Sequence, residues 1–239
     1  MQKEREGPAL ITAAPPVFAR PLVGIDGSPE SIEAARQAAQ LAEGEVTLIG
    51  VYDALGGVVG GPALEAPVFY DEEALRRSAE AALHDAEKVV GDVPATTRVF
   101  QGAARDVLRA QAVKTNATLV AVGSHGTGRL AGILVGSTAT ELLHSAPCSV
   151  LVARPAGTKF PQRIVVGVDG SAESAAAYAT ARSLAERFGA RVWPVVAYKD
   201  GEVDRAAVDE LLGHRREELW DDPVPVSYTH LTLPTICSV

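Results

Sequence analysis

One stretch of this chain is written twice, and the repetition constrains the fold more than any other feature. Arg20-Pro21-Leu22-Val23-Gly24-Ile25-Asp26-Gly27-Ser28-Pro29-Glu30-Ser31 recurs almost residue for residue as Arg163-Ile164-Val165-Val166-Gly167-Val168-Asp169-Gly170-Ser171-Ala172-Glu173-Ser174. In each copy a short apolar run ends at Asp-Gly-Ser and a helical pattern follows, which reads as strand, turn and helix. A repeat this close places a domain boundary near Pro155 to Pro161 and makes the chain a tandem.

Within the first copy, apolar runs and helical stripes alternate. Pro21 to Ile25 reads as a strand, Ser28 as an N-cap, Pro29 as the first helical residue, and the helix runs to about Ala42 before Gly44. Glu45 to Tyr52 is a second strand, followed by an aperiodic Gly- and Pro-bearing loop from Ala54 to Pro67, a length common in lids and binding loops. Asp71 to Val90 carries a helical stripe closed by Gly91, Thr96 to Phe100 is a third strand, and Arg105 to about Lys114 is an amphipathic helix. Leu119 to Val122 and Pro147 to Ala153 complete the strands, with a helix from Ala139 to His144 between them. This alternation predicts an α/β fold: an open five-stranded, mostly parallel sheet with helices on both faces and right-handed crossovers. Ligands of such sheets bind at the carboxyl ends of the strands, which makes Gly24, Ile25 and Asp26 candidate site residues.

The densest chemistry follows the fourth strand. Gly123-Ser124-His125-Gly126 is separated by nine residues from Gly136-Ser137-Thr138, where a helix begins. A helix start presents unpaired N–H groups and the positive end of the dipole, which suits an anion. Glycines at 123, 126 and 136 are expected to allow positive φ and close backbone approach to a phosphate. The plainer alternative is a surface loop with Ser137 as a simple N-cap.

The spacing Gly123, Gly126, Gly136, Ser137 matches without a gap the nucleotide-binding signature of the universal stress protein family, and the chain resembles that family from Arg20 to Arg154, with its first part recurring from Arg163 to about Val226. The resemblance implies a Rossmann-like sheet of the adenine nucleotide alpha hydrolase-like kind and ATP as ligand. It implies that Asp26 accepts a hydrogen bond from the adenine amino group and that Val51 meets the base through its backbone. Val122 and Gly123 would lie near the ribose. Gly126, Gly136, Ser137 and Thr138 would hold the phosphates, with Mg2+ shared between phosphate oxygens and solvent. Arg129 would approach the γ-phosphate, although a solvated charge is the plainer reading. The resemblance further implies that the fifth strand is an edge used for pairing, in a homodimer or within the chain as a pseudo-dimer. Family members carry an acidic residue where Thr118 stands, so a turn contact is expected to be missing there.

Other chemistries fit less well. Gly126-Thr127-Gly128-Arg129-Leu130-Ala131 satisfies a dinucleotide-type spacing but follows the fourth strand, and no acidic residue ends a following strand. No P-loop and no G-x-S-x-G occurs. Ser124 and His125 are adjacent, which rarely makes a nucleophile and base, so His125 reads as an exposed loop residue. No catalytic base and no metal cluster stands out, and slow ATP hydrolysis or autophosphorylation is the most enzymatic reading left. A net charge of -8 and 5% aromatic residues argue against nucleic-acid binding. Cys148 and Cys237 are too few for a disulfide framework. No apolar run reaches the roughly 18 residues of a membrane span, and the expectation is a cytoplasmic protein. Three readings remain: a stress-responsive ATP-binding module, a nucleotide hydrolase, and a nucleotide-independent interaction protein.

Residues 1–19 read as a disordered leader, 20–154 as the nucleotide-binding domain, 155–162 as a linker and 163–225 as a truncated second domain. That second copy continues with a helix from Glu173 to Phe188, a strand from Arg191 to Tyr198 and a charged helix from Val203 to Trp220, without a second Gly-rich loop. From Val226 the composition changes, with no Ala, Gly, Asp, Glu, Lys or Arg up to Val239. Residues 226–239 therefore read as a tail foreign to the fold.

Overall fold

The computed structural model describes residues 18–53, 71–126, 135–155, 160–169, 171–195, 197–198 and 226–227. The loop from Ala54 to Pro67, Arg129 and the charged helix expected from Val203 to Trp220 fall outside them.

The first copy forms a five-stranded parallel sheet in the order β3-β2-β1-β4-β5. Its strands are β1 (Pro21–Ile25), β2 (Val46–Tyr52), β3 (Ala95–Gln101), β4 (Leu119–Gly123) and β5 (Ser149–Ala153), and its helices are α1 (Pro29–Leu41), α2 (Glu72–Val90), α3 (Ala104–Thr115) and α4 (Ser137–Ser145). Strand residues alternate between two cores because successive side chains point to opposite faces. Val23, Ile25, Leu48 and Ala121 pack with Ala34, Ala35 and Ala38 of α1 and Leu83 and Ala86 of α2. Leu22, Ile49, Val120 and Val122 pack on the other face with Leu108 and Ala112 of α3 and Ala139 and Leu142 of α4. Small residues let helices approach closely. The buried face of α1 is mostly alanine, and a Cβ on Gly50 of β2 would stand 3.1 Å from Leu83 of α2.

Three sequence expectations shift at the margins. Phe18, assigned to the leader, is 5% exposed and packs with Leu41 and Leu119. The turn contact expected to be missing at Thr118 is made: Arg20 N donates to Thr118 Oγ1 at 3.0 Å, and Thr118 N donates to Arg20 O at 3.0 Å. Third, β5 pairs with β4 only, so pairing within the chain through the fifth strand is not found among the described residues.

The second copy repeats the opening of the first as β6 (Arg163–Gly167), α5 (Ala172–Phe188) and β7 (Arg191–Val195), around Val166, Val168, Ala181 and Val192. Two further short strands, β8 (Ala197–Tyr198) and β9 (Val226–Ser227), pair in parallel, Ala197 with Val226 and Tyr198 with Ser227. In the first copy Val51 pairs with Phe100 and Tyr52 with Gln101 in the same way. Val226 and Ser227, set apart from the fold on composition, therefore stand where the repeat has its third strand.

Leu48 is fully buried between β2 and the α1/α2 layer. Leu48→Ala is expected to cost about 2–5 kcal/mol of unfolding free energy in denaturant titration, as large-to-small core changes do.

Candidate functional site

β4 ends at Gly123, and α4 begins fourteen positions further on, yet the two ends of the connection are tied together: Gly136 N donates to Ser124 O at 2.7 Å, and Ser124 N donates to Ala153 O of β5 at 2.8 Å. Gly136, not Ser137, is the N-cap of α4, and no side chain caps it. Its carbonyl accepts from both Thr140 N and Thr140 Oγ1, and a glycine at this position has no side chain to close the first turn. α3, with Ala103 at its N-cap, is likewise uncapped, whereas Ser28, Asp71 and Ser171 cap α1, α2 and α5. Among the described helices, the two without a side-chain cap are two whose first turns line one cavity.

That cavity, about 320 Å³, lies at the carboxyl edge of the sheet and gathers every predicted site residue. Gly24, Ile25 and Asp26 come from the end of β1, Val51 from β2, and Val122 and Gly123 from β4, with Gly126, Gly136, Ser137 and Thr138 at its polar mouth. Ser31, Ile49, Ala104, Leu108, His125 and Ala139 also line it and were not predicted. Leu108 and Ile49 form part of its apolar wall, and nothing local in sequence separates them from ordinary core residues. Ser31 follows the repeated Asp-Gly-Ser turn and was in principle readable. His125 is half-buried, not an exposed loop residue, and its Nδ1 lies 3.1 Å from Ser124 Oγ.

Of the two roles expected of these glycines, positive φ is not found. None of Gly123, Gly126 and Gly136 has positive φ. Gly123 is required by packing: a Cβ there would lie 2.8 Å from Glu30 C and Ser31 N, the backbone of the first turn of α1. At Gly126 the first obstacle is Asp26 Oδ2, at 2.6 Å. Gly136 has room, since its nearest neighbour would be Ser124 O at 3.4 Å.

Asp26 carries two features at once. Its Oδ1 accepts from Ser28 N at 3.0 Å and Ser28 Oγ at 2.6 Å, the local turn that starts α1, while Oδ2 faces Gly126. The second copy shows what the turn alone does. Asp169 Oδ1 accepts from Ser171 N at 3.0 Å and Ser171 Oγ at 2.6 Å, with no Gly-rich loop following in that copy. The turn is therefore a helix-starting device in both copies, and in the first copy Asp26 also lines the cavity. At Asp169 the Ser171 hydroxyl, then its N–H, hold the carboxyl below the ordinary carboxylate range.

The sequence model of the universal stress protein family matches residues 18–154. The chain belongs to that family. A universal stress protein of Mycolicibacterium smegmatis is 32% identical over 183 residues, covering 70% of this chain and 60% of that protein. One from Mycobacterium tuberculosis is 40% identical over 147 residues, covering 58% of this chain and 46% of its own length. This universal stress protein chain thus spans about half the length of the curated relatives it matches. The crystal structure of a universal stress protein from Archaeoglobus fulgidus superposes with a TM-score of 0.64 at 19% identity, over 88% of this chain and 77% of that one, a likeness of fold. No helix among the described residues is long and apolar enough to cross a membrane.

Two expected outcomes follow from this geometry. Gly123→Ala should destabilise the domain by about 1–3 kcal/mol through overpacking against α1, whereas Gly136→Ala should cost less than about 1 kcal/mol, an N-cap effect; equal melting shifts for the two would contradict the packing argument. Because its folded pKa is depressed, Asp169 contributes stability that is present above the unfolded value of about 3.9 and lost as pH falls through the lowered folded value. Carboxyl-carbon NMR titration should place its midpoint below the ordinary value, and Ser171→Ala should raise it.

Proposed function

We propose that the first domain binds an adenine nucleotide, ATP, and that the chain acts as a stress-responsive nucleotide-binding module. The observation that carries this reading is the opening of the uncapped first turn of α4 onto a cavity that is apolar at one end and rich in N–H and hydroxyl donors at the other. Ile49, Val51, Leu108 and Val122 offer a flat base a dry wall, and Gly126, Gly136, Ser137 and Thr138 offer phosphates backbone N–H groups and hydroxyls at a positive helix end. Asp26, with Oδ1 committed to Ser28, presents Oδ2 to the amino group of the base.

Mg2+ would enter with the nucleotide. The donor set is mostly N–H and hydroxyl with one carboxylate, which suits a cation shared between phosphate oxygens and water rather than one caged by protein. Binding rather than turnover is favoured because Ser124, whose hydroxyl lies 3.1 Å from His125 Nδ1, is only 2% exposed and is not among the residues lining the cavity. The outer edge of β5, which pairs with no strand among the described residues, supports assembly into a homodimer.

Mass spectrometry of nucleotide co-purifying with the protein, followed by calorimetric titration, tests the reading. Gly136→Ala leaves the empty fold nearly intact, so a loss of ATP affinity of roughly tenfold or more would report a phosphate lying against that backbone. Asp26→Ala should lose roughly ten- to a hundredfold in ATP affinity and narrow the preference for ATP over GTP. Wild-type affinity in a folded Gly136→Ala variant would show that α4 receives no phosphate, and the nucleotide reading would fall. Gly126→Val is a poorer probe, because its side chain strikes Asp26 before any ligand.

A further inference from the structure

Aligning the two copies isolates a small insertion. Leu41-Ala42-Glu43 of the first copy corresponds to Leu184-Ala185-Glu186 of the second, and the strand registers, Leu22 with Thr47 and Val165 with Trp193, leave three additional residues in the second copy before its strand, Arg187 and Phe188 among them. Everything on either side follows the repeat. These two residues close α5, and both turn toward the first copy.

Arg187 meets the carboxyl end of α1. Its Nη1 donates to Leu41 O at 2.7 Å, and its Nη2 donates to Ala42 O at 2.8 Å and Gln40 O at 3.2 Å. Nη1 also stands 3.3 Å from Glu43 Oε1. The last carbonyls of a helix have no intrahelical partner and carry the negative end of the dipole. α1 has no basic residue in its own last turn, so the cation that its carboxyl end lacks comes from the second copy. The guanidinium lies 4.9 Å from the centroid of the Phe188 ring, and Phe188 packs into the cluster of Phe18, Leu41, Leu119 and Phe160 at the amino ends of β1 and β4. A planar fork fixed over an aromatic ring loses little freedom when it binds several carbonyls, which a lysine ammonium cannot imitate.

We infer that the Arg187-Phe188 insertion is the device that fixes the second copy to the first domain, by capping α1 from outside. The partner surface is the open carboxyl end of α1 together with the apolar cluster under it. Docking therefore occurs at the amino ends of β1 and β4, at the edge of the sheet opposite the cavity. It also braces α1 at the end far from Ser31, so the helix that forms one wall of the cavity is held at both ends.

Hydrogen exchange followed by mass spectrometry on the full chain tests this without reference to any ligand. In Arg187→Ala, amides in the last turn of α1 and in the last turns of α5 should exchange roughly ten- to a hundredfold faster, while the α2 peptides keep wild-type protection. Phe188→Ala should show the same pattern. Arg187→Lys, which keeps the charge but not the fork, should fall between Arg187→Ala and wild type and provides the reading if the alanine variant does not fold. Arg182→Ala, which removes an exposed helical ion pair with Glu186 on the same helix, should leave α1 unchanged. Wild-type protection of the α1 terminus in Arg187→Ala and Phe188→Ala, or in Arg187→Lys where only that variant folds, would overturn the inference.

Discussion

The approach of α1 to the end of β4 decides where this domain can bind anything. The sheet order reverses at β1, which has β2 on one side and β4 on the other, and at such a switch point the connections leaving the two strands diverge and open a crevice. Here the chain leaving β1 turns at once into α1, whose first turn lies so close to Gly123 that no Cβ fits between them. With α1 seated this tightly, the chain leaving β4 passes along its amino end, where His125 O accepts from Ser28 Oγ at 3.3 Å and Gly126 faces Asp26, while α4 starts separately at the Gly136 cap. The crevice is the space between those two departures. Its floor is the carboxyl ends of the strands, and its charged character comes from helix ends that no side chain closes.

Much of this was legible because it is local. Turn chemistry at Asp26-Gly27-Ser28, the alanine stripe of α1 and the apolar runs each specify an element from a few neighbouring residues, and their alternation specifies a parallel sheet. The residues singled out as a site came together for one reason, since all but Gly126 lie at the end of a strand or the start of a helix at one edge, and Gly126 follows such a strand end by three residues. What was not legible depends on distance. Gly123 looks like a phosphate-loop glycine, and only the position of Glu30 and Ser31 shows that α1 demands it. Leu108 and Ile49 look like core. The exposure of His125 was misjudged because it is met by Ser28, 97 positions away in the chain, whose hydroxyl donates to His125 O, and not by its own sequence context.

The repeat supplies a control that a single domain lacks. The same Asp-Gly-Ser turn, with the same pair of bonds from Ser171 to Asp169, starts α5 in a copy without the Gly-rich loop. A residue retained for the turn cannot by that fact be assigned to a ligand, and Asp26 earns its place in the site only through its second oxygen. Conversely, Gly167 corresponds to Gly24, yet a Cβ on Gly167 would meet nothing within 4 Å, whereas one on Gly24 would lie 2.8 Å from Leu108. The closeness of that wall in the first copy is made by α3, an element with no counterpart in the described part of the second.

Where the copies differ, the difference has a direction. α1 is a dipole whose positive end is placed at the cavity and whose negative end must be satisfied elsewhere. In an isolated domain water would serve. In this chain three carbonyls at that end take a guanidinium from the second copy, and the aromatic side chain beside it closes the apolar cluster below. The electrostatics of one helix thus reach two edges of the same sheet: its amino end, capped by Ser28, lies beside the cavity, and its carboxyl end is closed by a cation from the second copy.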